Sequence, residues 1–173
     1  IGSPIVITKI EVWRTTIGAA TNENRNIIAF TDLGESSPNM PEIHRYSEVT
    51  KDYPDNGINN LIEGYNAYLD SSQLRDLSSV NNYLRTKGMV SGTDFEKIES
   101  ARLLNSSEYT FNSKLGFISL NTALSADQVL AVAFQYTVIG DDHIYQVGEF
   151  ANEVTAPNCI RVKLLKCTIL NTK

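Results

Sequence analysis

Between Val129 and Val138 the chain alternates with period two. Leu130, Val132, Phe134, Tyr136 and Val138 fall on one side, and Ala131, Ala133, Gln135 and Thr137 on the other. Successive side chains point to opposite faces only in an extended chain, so this segment predicts a β-strand with one bulky face and one small face. Similar patterns recur along the chain. Ile160, Val162 and Leu164 alternate with Arg161 and Lys163, which predicts a strand with the first set inside and the second outside. Residues 5–13 are rich in β-branched side chains, and their later half sets Ile10 and Val12 against Lys9 and Glu11. The run Ile27-Ile28-Ala29-Phe30, closing in Thr31-Asp32-Leu33-Gly34-Glu35, predicts a second strand reached by a hairpin-like return. Residues 108–111 and 116–120 flank the turn formers Asn112-Ser113-Lys114 and predict a β-hairpin. A further turn, Ile139-Gly140-Asp141-Asp142, leads into a strand over residues 143–150.

One block breaks this pattern. Residues 36–55 carry Pro38, Pro41 and Pro54 and predict a long surface loop. Ile58, Leu61, Ile62, Tyr65 and Leu69 then recur at helical spacing, and Leu74, Leu77, Val80 and Leu84 do so again until Gly88 stops the helix. Thr93-Asp94-Phe95-Glu96 has the form of a capping box, and with Ile98 and Ala101 it predicts a third, shorter helix. Strands joined by hairpins favour antiparallel sheets. The fold expected is α+β and mainly β: an antiparallel, jelly-roll-like β-sandwich with a helical insertion at about residues 57–104. A chain of 173 residues with 42% apolar side chains can bury the core of one domain, so residues 1–173 are expected to form a single soluble unit.

Charge and motif content restrict function. The net charge of −5 offers no basic excess for nucleic acid or anionic lipid, and neither is expected as a partner. No apolar run approaches the ~20 residues of a membrane helix, and mean hydropathy is −0.19. The opening Ile1-Gly2-Ser3-Pro4 holds neither an initiator Met nor a basic lead into an apolar run, so the expectation is a piece of a longer polypeptide without a visible signal peptide. Cys159 and Cys167 bracket one predicted strand; eight extended steps of ~3.3 Å separate them by roughly 26 Å, beyond the ~7 Å reach of a disulfide. Two free thiols are expected.

Candidate chemistry is sparse. His44 lies in the Pro-rich loop and His143 beside a turn, and no Gly-x-Ser-x-Gly accompanies them, so both are expected to be structural or solvated. The acid pairs Asp52 with Asp55 and Asp141 with Asp142 sit in turn contexts, where a carboxylate bonds nearby backbone. The string Asp52-Tyr53-Pro54-Asp55-Asn56-Gly57 lacks the third ligand and terminal Glu of a calcium loop. The glycines fit no phosphate-binding pattern, and Asn105-Ser106-Ser107 reads equally as a turn or a glycosylation sequon. No catalytic residue, cofactor or metal ligand is expected, and no binding residue is assigned. One composition-based alternative is a carbohydrate-binding β-sandwich, in which Trp13 and neighbouring Tyr side chains would stack on sugar rings.

Several strings carry a resemblance. They are residues 7–13 (ITKIEVW), 25–35 (RNIIAFTDLGE), 101–112 (ARLLNSSEYTFN), 114–121 (KLGFISLN), 127–137 (DQVLAVAFQYT), 145–150 (YQVGEF) and 162–166 (VKLLK). In this order they resemble the SprA family, also called Sov, of gliding-motility and type IX secretion proteins of Bacteroidetes. Residues 36–92 contribute least. The resemblance implies a very large outer-membrane barrel parent, of which this chain would be a soluble, non-catalytic domain that is not itself membrane-embedded. It implies partners among the parent's other domains, secretion-system subunits and exported cargo proteins, including adhesins and proteases. It implies no catalytic residues; the matched positions read as fold determinants. Because barrel proteins place long insertions outside, the cell-surface side of the outer membrane is expected before the periplasm.

Overall fold

In the computed structural model, residues 4–31, 33 and 71–166 are described. The longest pairing joins β1 (Ile5–Arg14) to β6 (Leu130–Val138), antiparallel from Ile5 opposite Val138 to Arg14 opposite Leu130, with one irregularity between Ile7 and Lys9. The other edge of β6 pairs antiparallel with β8 (Ile160–Lys166) and, further along, with β7 (Tyr145–Val147). β8 lies parallel to β2 (Arg25–Phe30), β2 antiparallel to β3 (Phe95–Leu103), and β3 antiparallel to β1. The order β1-β3-β2-β8-β6 therefore returns to β1, and five strands close into a barrel-like sheet. A second sheet is the hairpin of β4 (Tyr109–Asn112) and β5 (Phe117–Leu120).

Closure depends on the small face of the alternating strands. Ala131 and Ala133 of β6 join Ala29, Ala101, Ile27, Ile160 and Val162 in one buried cluster around Trp13 and Phe150. A narrow ring has room for an indole only where its other inward positions are small. The bulky face of β6 points outward into two further clusters. Leu130 and Val132 pack with Val12, Leu104 and the β4–β5 hairpin. Tyr136 packs with Ile28, Phe30, Phe95 and the helical segment through Leu74, Val80 and Leu84. β2 is thus buried on both sides, which explains its unbroken apolar run.

The mainly β expectation holds, with differences in detail. The sheet closes on itself, and its β2–β8 pair is parallel, so the described residues do not form a plainly antiparallel jelly-roll. Residues expected as a third helix are β3 instead. The three-residue spacing of Ile98 and Ala101 comes from a bulge: Ile27 faces Ile98 but Arg25 faces Ala101, with Ser100 between them at φ 53°. An inserted residue returns two inward side chains to one face after three steps and so imitates helical spacing. Asp94 caps a turn, accepting the Val90 N–H at 2.6 Å, before the strand begins. The helix expected across Leu74 to Leu84 is two pieces, α1 (Ser71–Arg75) and α2 (Val80–Thr86). Asp76 breaks it by accepting Ser78 N–H at 2.9 Å and Ser78 Oγ–H at 2.8 Å. Gly88 ends α2 as expected, at φ 84°, with the Met89 N–H on Leu84 O and the Gly88 N–H on Arg85 O. The helix expected over residues 58–69, the Pro-rich loop, His44, Asp52, Asp55 and Cys167 lie outside the described residues.

Candidate functional site

Where β7 gives way to the segment covering one side of the barrel, Gly148 turns the chain at φ 76°. A Cβ there would stand 3.1 Å from Ala133 Cβ, a tight approach at a φ that side chains rarely adopt, so glycine suits the close packing on β6. The turn sends Phe150 into the lumen and leaves Glu149 on the outer side, where the Glu149 N–H donates to Arg161 O at 2.7 Å. Arg161, expected outside in solvent, is instead 2% exposed. Its position on the outward face of β8 is right; the covering segment is what buries it. The Glu149 carboxylate accepts Arg161 Nε–H at 3.0 Å, Arg161 Nη2–H at 3.2 Å and the Arg161 backbone N–H at 3.0 Å. Arg75, at the end of α1, donates to both carboxylate oxygens at 2.6 Å and to Cys159 O at 2.9 Å. The Cys159 N–H returns a bond to Arg75 O at 2.9 Å.

One carboxylate thus holds two guanidinium groups and locks α1 to β8. Burial pushes the Glu149 carboxyl up, but the hydrogen bonds from Arg75 and Arg161, with their charges, outweigh it and hold the group at about 2. Such a group is neither a base near neutrality nor a proton donor. Burial pushes the neighbouring Cys159 thiol up to about 11, which removes it as a nucleophile.

Beside Arg75 opens a cleft of about 500 Å³, walled by Asp76, Ser78, Lys97, Glu99 and Asn26 among others. Its polar groups hold the walls together. Asp76 is tied to Ser78, Lys97 Nζ donates to Leu77 O at 3.3 Å, and Asn26 bridges Pro157 O and the Ser100 N–H. The cleft carries both signs of charge, and among its described lining residues there is no His or Cys.

The other candidates lie apart. Asp141 accepts the His143 backbone N–H at 3.0 Å, approaches His143 Nδ1 at 2.7 Å and accepts the Tyr145 hydroxyl. The Tyr145 bond and then those from His143 hold its carboxyl down at about 2. This trio closes the β6–β7 turn, and His143 is exposed on it. Trp13 is fully buried in the lumen, so its indole offers no face to the sugar stacking of the carbohydrate alternative. Tyr136 and Tyr145 are likewise buried, stacked 5.3 Å apart. Among the described residues no three His, Cys, Asp or Glu side chains gather as metal ligands.

Sequence reasoning missed the Arg75, Glu149 and Arg161 cluster. Its members are 74 and 12 residues apart from Glu149, and no local pattern links them; Arg161 alternates in β8 just as the partly exposed Lys163 does and so gives no signal of its own. Compared with models of protein families and with curated proteins, the chain matches none.

Proposed function

We propose that this chain is a non-catalytic domain of a SprA-like outer-membrane export translocon, serving gliding motility and secretion through protein contacts. The single observation behind it is the ordered set of strings from residue 7 to residue 166 that resemble that family. Those strings fall on β1, β2, the end of β3, β4, β5, β6, β7 and β8. In support of a role without bond-breaking, the buried carboxylate of Glu149 spends both oxygens on Arg75 and Arg161. The proposal places the domain on the cell-surface side of the outer membrane, in contact with the parent barrel, other secretion subunits and cargo. On fold, we propose the sandwich reading only for the layer where the β4–β5 hairpin covers β1 and β6.

The test is removal of this domain from its parent. Export of surface adhesins and proteases should fall while the shortened parent still reaches the outer membrane. Undiminished export would overturn the proposal. Protease treatment of intact cells should cut the domain; full protection there would move it to the periplasmic side.

A further inference from the structure

Among the described residues no strand pairs with the outer edge of β5 in the β4–β5 hairpin. β4 and β5 pair through Tyr109 with Leu120, Thr110 with Ser119, Phe111 with Ile118 and Asn112 with Phe117. The Asn121 N–H donates to Glu108 O at 3.0 Å, which fixes the phase of the ladder. In an antiparallel pair, alternate residues turn their N–H and C=O away from the partner. The residues so turned on β5 are Ile118 and Leu120, and among the described residues their four outward backbone groups meet no hydrogen-bonding partner.

Apart from its four-residue length, the edge carries none of the usual blunting devices among the described residues. No charged residue and no Pro occurs from residue 115 to residue 126, and the β4–β5 register runs without a bulge. Phe117 and Leu115 beside the edge are 52% and 69% exposed. The Ile118 and Leu120 side chains point the other way, into the cluster with Val12 and Val132, so the core holds the edge in place.

We propose that the outer edge of β5 binds an extended, uncharged polypeptide segment of a partner protein, which adds as a strand beside Ile118 and Leu120. Donor and acceptor pairs repeating every second residue match an extended backbone. The neutral, apolar flank selects a segment with apolar side chains at alternate positions and no charge among them. This proposal stands independently of the export reading.

The probe is a labelled nine-residue peptide of alternating Thr and Val with a Lys at each end, titrated against the full chain by fluorescence anisotropy. Saturable binding is expected, at least tenfold weaker when alternate peptide amides are N-methylated. Peptide addition should slow amide exchange at Ile118 and Leu120. Ile118→Pro removes an N–H that β4 does not use, so it should abolish binding and leave the circular dichroism spectrum unchanged. Should that variant unfold, Ser119→Lys, which charges the exposed face, supplies the second reading and should weaken binding at least tenfold. Equal binding of the N-methylated peptide, or no binding, would overturn the proposal. So would a concentration-dependent dimer that Ile118→Pro abolishes, which would give the edge to a second copy of the chain.

Discussion

Glu149 shows how much one side chain can hold. Its carboxyl sits at about 2 in the folded protein against an ordinary value near 4.5, so the folded state binds fewer protons than the unfolded chain in acid. The stabilisation is fully present above about pH 4.5 and is lost as pH falls towards 2; the gap corresponds to about 3 kcal/mol. Glu149→Gln should therefore lower the urea midpoint at pH 7, costing roughly 3–5 kcal/mol because Arg161 stays buried without its carboxylate. The difference between the two proteins should shrink below about pH 4. A constant difference from pH 7 to pH 3 would show that charge is not what Glu149 contributes. Nothing near Glu149 in the sequence announces this role, since both arginines reach it through tertiary contacts.

At the scale of elements, turns and bulges decide what strands become. Gly148 and Gly140 share a positive φ, but only Gly148 faces Ala133, while a Cβ on Gly140 meets nothing within 4 Å. Gly140→Ala should cost about 1 kcal/mol of backbone strain, and Gly148→Ala roughly 1–3 kcal/mol as the covering segment is pushed off β6. Thermal unfolding of the two variants measures the difference; equal melting temperatures would mean that contact with Ala133 does not matter. Most elements were legible. β1, β6 and β8 follow period-two patterns, β2 an unbroken apolar run, β4 and β5 the turn formers between them, and the end of α2 follows from Gly88. β3 was not legible, because the bulge at Ser100 gives a strand the spacing of a helix, and tertiary pairing with β2 overrides local propensity. The break between α1 and α2 lies in the bonding of Asp76 to Ser78, a competition with the helix that spacing does not record.

The whole molecule is tied together by pairings distant in sequence. β1 meets β6, and β8 lies between β2 and β6, so the ring cannot close until its last strand is in place. Folding should be all-or-none. Trp13, the single tryptophan, sits in the lumen, and its fluorescence reports closure, whereas far-ultraviolet circular dichroism reports the strands. The two signals should move together through a urea transition, and removal of residues 160–173 should abolish both. Separate transitions would mean that the strands form before the ring.

The sequence by itself determined which segments extend and which of their faces are apolar, because period-two alternation is a local property of the chain. It also made one face of β6 small, the requirement for closing around Trp13. Tertiary structure decided the rest: that β2 and β8 run parallel, that the outward Arg161 is buried, and that Trp13 lies within the barrel. Each depends on which distant segment arrives to cover a face, and a covering segment leaves no periodic mark on the residues it covers.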